Sequence, residues 1–470
     1  MIGGVKLALG GLLATASAIA LSACATLPPP TPARQAKAPD AYETQQAFAA
    51  PAADWPADAW WKAYGDPQLD ALIDQALAGS PTLAEATARV RSAQALTAEA
   101  VSNGLPKISG YGSVQELRAE APPILSGYND TGVLSLNLGW DLDFFGRNRA
   151  AVAAATSQTR AAVADVAETR LTLTTSVAAT YAELARLYAQ RDVAERALAV
   201  REETEGLVQK RVTNGLDTQA ELKQAEAGPP AARAELAALD EEIALTRDAL
   251  AALVGAGPDR GLTIQRPTAT TLKAFGLPDH LALNLIGRRP DIVAAKWRAE
   301  AATHQVDEAK RAFYPDINLA ARIGQGALSL DDLFKSASTF GLGGPAVSLP
   351  IFEGGKLRAG LRGAQAERDA AVASYDEAVT QALREVADAA ASQKALADRL
   401  AQSRAALAAD EDAHRVARLR YDGALANYQS VLLAENAVLA QRQVVTDLEN
   451  RSLVLDVSLI HALGGGFANP

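Results

Sequence analysis

Leu134-Ser135-Leu136-Asn137-Leu138-Gly139-Trp140-Asp141-Leu142 is the stretch that decides how this chain must be built. Large apolar side chains alternate with small or polar ones, the period of a β-strand with one greasy and one polar face. A weaker alternation precedes it from Lys107 to Leu117. Between them Arg118 to Asp130, with Pro122-Pro123 and Gly127, reads as a loop, so a hairpin is expected over 106–145. The pattern returns later in the chain. Ile317, Leu319, Ala321 and Ile323 alternate with Asp316, Asn318, Ala320 and Arg322; a loop follows at about 325–338, and a glycine-rich strand from Phe340 to Phe352 completes a second hairpin over 315–352.

The two hairpins belong to a longer repeat at one offset of 209 positions. Ser80-Pro81-Thr82-Leu83 falls on Arg289-Pro290-Asp291-Ile292, Leu105-Pro106-Lys107-Ile108 on Tyr314-Pro315-Asp316-Ile317, Arg211 on Arg420, and Ala225-Glu226 on Ala434-Glu435. A unit this long is a duplicated half-protein rather than a solenoid repeat of about 20 to 50 residues. After each hairpin a very long helix is expected: 147–213, which has no proline and no strong breaker, and 356–421. At about 1.5 Å per residue each would reach about 100 Å. Asn214-Gly215-Leu216 and Gly423-Ala424-Leu425 turn these helices, and return helices follow at 217–254 and 426–463. Leu236, Leu239, Ile243, Thr246, Leu250 and Leu253 form a heptad seam on the first return helix. Shorter helices at 81–104 and 290–313 are positioned to stack end to end with the return helices. Gly228-Pro229-Pro230 interrupts the first return helix, which must kink there or restart at Pro229.

Four strands with a greasy face cannot sit in a bilayer with open edges, because unpaired backbone groups in hydrocarbon cost several kcal/mol each. Four are also too few to close a barrel. Two copies of the chain would give eight strands and a filled interior; three would give twelve and a lumen. The residues leave that number open, although Ser135, Asn137 and Asp141 on the inner face favour a wet interior. Leu134, Leu136, Leu138, Trp140 and Leu142 are the expected lipid-facing row.

The N-terminus reads as a targeting segment. Lys6 is followed by the apolar run Leu7–Leu21, the length of a signal-peptide core and too short to span a membrane as a helix. It ends in Leu21-Ser22-Ala23-Cys24, which resembles a bacterial lipoprotein signal covering residues 1–23. Cys24, the single cysteine, would become the lipid-bearing N-terminus, so a covalent lipid is the only prosthetic group expected and no cofactor or disulfide is. Residue Ala25 in place of Asp favours export to the outer membrane, by likeness to known lipoproteins. Residues 24–65, rich in Pro and Ala, read as a tether that packs locally through Trp55, Trp60 and Trp61.

The net charge of −10, with no basic face, argues against nucleic acid. The four histidines, His280, His304, His414 and His461, lack ligand spacing; no nucleophile elbow, Walker loop or CxxC is present, and an enzyme is not expected.

The chain resembles the TolC-like outer-membrane efflux proteins, in their lipoprotein branch, over about residues 55–463. The resemblance rests on Trp60-Trp61 with Gly65-Asp66-Pro67-Gln68-Leu69, on Trp140-Asp141-Leu142-Asp143-Phe144-Phe145-Gly146-Arg147, on Gly287-Arg288-Arg289-Pro290-Asp291-Ile292, on Phe313-Tyr314-Pro315, and on Leu349-Pro350-Ile351-Phe352-Glu353-Gly354-Gly355. It implies a mainly α fold with a transmembrane β part: a homotrimer with a twelve-stranded barrel in the outer membrane and a helical coiled-coil barrel in the periplasm. The implied repeats are 66–261 and 280–463, joined by a linker at 262–279 and followed by a tail at 464–470. The implied role is the exit duct of a tripartite pump, with a periplasmic adaptor protein and, through it, an inner-membrane transporter of the RND type as partners. The helix turns would be the adaptor-docking tips. Asn214-Gly215-Leu216 matches two of three positions of the family's Val-Gly-Leu-like motif, while Gly423 is displaced by one residue. Where many members carry a pore-closing acid, this chain has Leu433, and the nearest acid is Glu435; the gate candidates are Gln429, Leu433 and Glu435, with a constriction by Leu433 and Gln429 expected rather than a carboxylate ring. Two other readings share parts of this pattern: a protein-secretion duct, and a non-conducting coiled-coil lipoprotein that would not need the greasy strand face.

Overall fold

A computed structural model of the protein describes residues 29, 32–38, 41–121, 125–268, 276–278 and 281–468. The signal segment and Cys24 lie outside the described residues.

In chain order the elements are a 3₁₀ turn (Trp60–Tyr64), α1 (Pro67–Gly79), α2 (Pro81–Asn103), β1 (Lys107–Ala121), β2 (Leu125–Asp141), α3 (Arg147–Thr213), α4 (Gln219–Leu253), the single turn α5 (Asp259–Leu262), α6 (Leu281–Arg288), α7 (Pro290–Arg311), β3 (Asp316–Ala327), β4 (Thr339–Ser348), α8 (Lys356–Asp422) and α9 (Tyr428–Ala462). The first residues of α2, α3 and α4 and those of α7, α8 and α9 are each separated by 209 positions. One compact unit comprises Met1–Ala36, Arg89–Val163 and Ala294–Asp376 and contains the sheet; the other comprises Lys37–Ala88, Ala164–Val293 and Glu377–Pro470 and contains both helix turns.

The strands form one antiparallel sheet in the order β1-β2-β3-β4. The first hairpin differs from expectation. Residues 118–121 and 125–130 are not loop but strand, paired in continuous register from Lys107↔Gly139 to Ala121↔Leu125. Ladder hydrogen bonds are made by the backbone, whatever the side chain, so the pairing of β1 with β2 runs through these residues without the apolar alternation that marks Leu134–Leu142. In the second hairpin β4 stops at Ser348 rather than Phe352, two residues before Pro350. The 328–338 connection carries two short 3₁₀ turns.

Capping explains several boundaries. Asp66 caps α1 by accepting from the N–H groups of Gln68 and Leu69. Thr218 and Glu221 form a capping box on α4, and Asn427 caps α9 through the Ser430 N–H. Gly228-Pro229-Pro230 neither stops nor restarts α4, which runs through both prolines. The two missing N–H groups are tolerated where Pro229 is buried and the Arg201 side chain lies along Gly228, with Nη1 3.5 Å from its carbonyl oxygen.

Each return helix closes against its short helix in the same way. Gly255 and Gly464, both at positive φ, follow α4 and α9. A Cβ on Gly255 would lie 2.4 Å from the Gly79 carbonyl oxygen, and one on Gly464 would lie 1.9 Å from that of Arg288, so only glycine permits the approach. Gly464 therefore belongs to the packed fold rather than to a tail.

The main core joins Trp60, Trp61 and Tyr64 to Leu69, Leu72 and Ile73 of α1, Val177, Tyr181 and Leu184 of α3, and Leu250 of α4. At its polar edge Asp66 also accepts from Tyr181 Oη (2.7 Å) and the Thr268 N–H (2.8 Å). Burial pushes its carboxyl up, but the Tyr181 hydroxyl and the backbone donors outweigh burial and leave it below the usual carboxylate range. The second repeat carries a different polar node. Arg289, 3% exposed, grips Asp291 through Nε (3.0 Å) and Nη2 (2.6 Å), while Nη1 reaches Glu385 of α8 (2.6 Å) and the Ala462 carbonyl oxygen at the end of α9 (3.2 Å). Glu168 and His461 stand beside this node. Burial, then the Asp291 charge, raises the Glu168 carboxyl; burial, then Arg289, lowers the His461 imidazole.

Candidate functional site: the sheet faces and the helix turns

Strand register sorts the sheet residues onto two faces. Directly paired residues point the same way, so Ile108, Leu138, Ala321 and Gly343 share one face, as do Trp140, Leu319 and Pro345. Leu134, Leu136, Trp140 and Leu142 are exposed and Leu138 is half-buried; Ile108, Val114, Ile323 and Val347 extend the apolar surface across all four strands. The row Leu134–Leu142 covers nine residues, close to the roughly 9–11 that a tilted strand needs to cross hydrocarbon. The opposite face carries Ser109, Tyr111, Ser113, Ser135, Asn137, Asn318 and Arg322. Among the described residues β1 and β4 each have one neighbour, which leaves two open edges.

An aromatic cluster that the sequence pattern did not single out lies next to the strand ends. Phe145 stacks on Tyr314 at 5.2 Å and meets Phe144 edge-on at 5.3 Å; Phe144 and Phe352 are largely exposed. Trp140 belongs with them, its Nε1 donating to the Gly104 carbonyl oxygen (3.0 Å). Apolar rings with one hydrogen-bonding handle suit a membrane–water interface. The signal was available as Trp140 and Phe144-Phe145 at one end of the strand.

At the other functional region, the two helix turns adopt the same backbone despite the displaced glycine. Gly215 has φ 72° and Ala424 φ 58°, and Leu216 N donates to Arg211 O as Leu425 N donates to Arg420 O (2.8 and 2.7 Å). The left-handed residue thus sits at equivalent positions, occupied by glycine in one turn and alanine in the other. The displaced glycine therefore does not displace the turn: the same closing hydrogen bond forms in both, with or without glycine at the left-handed position. Leu216 and Leu425 are 60% and 73% exposed. Beside Leu425, a groove of ≈ 680 Å³ is lined by Ala413, Val416, Ala417, Arg420, Asn427 and Ser430.

The turns are joined by a latch that sequence reasoning missed. Arg211, buried at the end of α3, donates from Nε (3.0 Å) and Nη2 (3.3 Å) to Asp217, and its guanidinium lies 4.2 Å over the Tyr421 ring. Tyr421 Oη also donates to Asp217. The hydrogen bond from Arg211 to Asp217 raises the guanidinium's affinity for its proton, and burial, then Asp217, raises the Tyr421 phenol. Val208, Leu222, Tyr428 and Val431 pack around them. At the 209-residue offset Asp217 corresponds to Ala426 and Tyr421 to Val212, so the equivalent positions cannot form a second latch of this kind.

Gln429 and Leu433 are exposed on one side of α9, but Glu435 is not with them. It is 3% exposed, packed near Tyr428, with Arg201 Nε 3.5 Å from Oε1 and no hydrogen-bond partner among the described residues. Burial raises its carboxyl, and Arg201 and Arg418 only partly oppose this. Glu435 therefore leaves the expected gate surface.

An exposed apolar sheet face with an aromatic rim, joined in sequence to two long helical hairpins, defines a membrane-inserted channel subunit of the outer-membrane type. The sequence profile of the outer membrane efflux protein family matches residues 72–256 and, 209 positions on, 281–465. The chain belongs to this family; it is an outer-membrane efflux channel protein extending into the periplasm, and not an enzyme. It is similar to the multidrug resistance outer membrane protein MdtP of Shigella flexneri, at 32% identity over 460 residues, 95% of this chain and 94% of that protein. It shares 38% identity over 326 residues with the fusaric acid resistance protein FusA of Burkholderia cepacia, 67% of this chain and 61% of FusA. The crystal structure of the outer membrane protein VceC of Vibrio cholerae superposes with a TM-score of 0.83 at 43% identity, covering 88% of this chain and 100% of VceC.

Proposed function

We propose that this protein is the exit duct of a tripartite pump, carrying drugs or other toxic small molecules outward. The carrying observation is the four-stranded sheet with an apolar exposed face and two open edges. Three copies give twelve strands, enough to close the edges around a lumen lined by the polar face. Cys24 carries lipid that anchors the N-terminus to the outer membrane. The turns at Asn214-Gly215-Leu216 and Gly423-Ala424-Leu425 receive a periplasmic adaptor, which links the duct to an inner-membrane RND-type transporter. Their matched backbone and exposed leucines support an equivalent docking role for both. The Arg211–Asp217–Tyr421 latch holds the paired turns together in the resting duct, and Gln429 and Leu433 narrow the pore beneath it. The names of MdtP and FusA accord with export of toxic compounds.

Two measurements test this reading. A strain lacking the gene becomes hypersensitive to exported compounds, and the purified, detergent-solubilised trimer conducts in planar bilayers. A water-soluble monomer without conductance, obtained from Cys24→Ser lacking residues 1–23, would refute it.

A further inference from the structure

Arg322 lies mid-strand on the polar face of β3, half-buried among groups from all four strands. Tyr111, Ser135, Gly324 and Phe340 form one transverse row across the four strands, and Arg322 reaches into it from the adjacent row. Its Nε donates to Ser135 Oγ (3.0 Å), and its guanidinium lies 5.8 Å from the Tyr111 ring centre and 5.4 Å from that of Phe340. Gly324 lets β3 lie close against β2 beside Ser135: a Cβ there would lie 2.3 Å from the Leu134 carbonyl oxygen and 2.7 Å from Ser135 Cβ. No carboxylate pairs with Arg322 among the described residues, and its terminal Nη donors have no protein acceptor among them. A guanidinium always carries its charge, and its planar fork matches the two oxygens of a carboxylate.

We propose that Arg322, positioned by Ser135 and flanked by Tyr111 and Phe340, is an anion-recognition point on the inner wall of the duct, one that contacts passing solutes bearing an aromatic carboxylate. This rests on the reading that the polar face lines the lumen. The aromatic rings limit the swing of the side chain and offer an apolar surface to the solute ring, while the free Nη edge meets its carboxylate. The contact is one-sided and open to water, which suits transient recognition during conduction rather than retention.

The test uses the full-length protein in planar bilayers, on a Tyr421→Phe background that weakens the latch. Reversal potentials are read under a potassium chloride gradient, and block is read with benzoate against benzamide as the neutral control. Arg322→Gln lowers the chloride-to-potassium permeability ratio at least about twofold, as expected for a unit charge roughly 6 Å from a permeating ion in 0.1 M salt. It also abolishes benzoate block. Arg322→Lys keeps the ion selectivity but loses most of the benzoate block, since charge remains and the fork does not. Benzamide blocks none of them. Conductance with selectivity and benzoate response unchanged in Arg322→Gln overturns this inference alone. No conductance from the Tyr421→Phe protein overturns the duct reading and this inference with it.

Discussion

Replacing Arg289 with methionine removes the one cation from a node of three carboxylates while conserving most of the side-chain volume. The side chain is 4% exposed, and its contacts tie the start of α7 to α8 and to the last carbonyl of α9. Breaking a buried ion pair from one side costs about 3–5 kcal/mol. Asp291 and Glu385, with side-chain exposures of 28% and 27%, recover part of their hydration, which places the expected loss near the lower end, about 3 kcal/mol. The pH dependence follows from the neighbours. Glu168 has a raised folded pKa, so the folded state binds its proton more tightly and stability rises as pH falls through that value. Arg289 opposes this shift, and without it the rise is steeper. Removing Arg289 also frees His461, whose Nε2 is 3.9 Å from Glu168, to hold a proton. The deficit of Arg289→Met should therefore be largest near pH 8 and shrink on acidification, with Arg289→Lys intermediate. Thermal unfolding of the detergent-solubilised protein by circular dichroism across this range measures it. A neutral-pH deficit under about 0.5 kcal/mol, or one that grows toward acid, would refute the reasoning.

Tyr421→Phe removes one hydrogen bond of the latch, worth about 1 kcal/mol, and Asp217→Asn weakens all of them; both should raise open probability in single-channel recordings, Asp217→Asn more strongly. Unchanged gating in both would place the closure elsewhere. Ala424→Gly relieves a left-handed alanine and should stabilise the turn by about 1 kcal/mol, visible as a higher melting midpoint. Glu435→Gln makes residue 435 neutral at every pH. Because burial raises the parent carboxyl, the parent gains stability as pH falls through that raised value and the variant does not, so the variant's advantage near neutrality should vanish in acid melts.

Much of the helical plan is legible in the sequence. The stretch 147–213 contains no proline and one glycine, so nothing interrupts intrahelical hydrogen bonding, and α3 spans Arg147–Thr213. Asp66-Pro67 and Ser80-Pro81 announced helix starts because a proline at the first turn loses no bond. The strand at Leu134–Leu142 was legible because large apolar side chains alternate there with small or polar ones. Residues 118–121 and 125–130 were not, since their pairing depends on the partner strand rather than on their own alternation.

The candidate sites divide in the same manner. Leu134, Leu136, Trp140 and Leu142 announce an apolar face by period alone. The latch was invisible because Arg211 and Asp217 lie far from Tyr421 in sequence, and only the packing of four helix ends brings them together. Glu435 was misplaced for the reverse reason: a charged residue is ordinarily exposed, and only the packing around α9 buries it.

The sequence by itself determined the duplication, the length and order of the helices, and the alternation of the strands, because these follow from local hydrogen bonding and from residue period. Only the tertiary structure decided which equivalent residues behave differently. Gly215 and Ala424 share one backbone conformation, whereas Arg211 is buried in a latch and Arg420 is left at the surface of a groove. Those outcomes depend on which side chains arrive from distant elements, and no local pattern encodes that arrival.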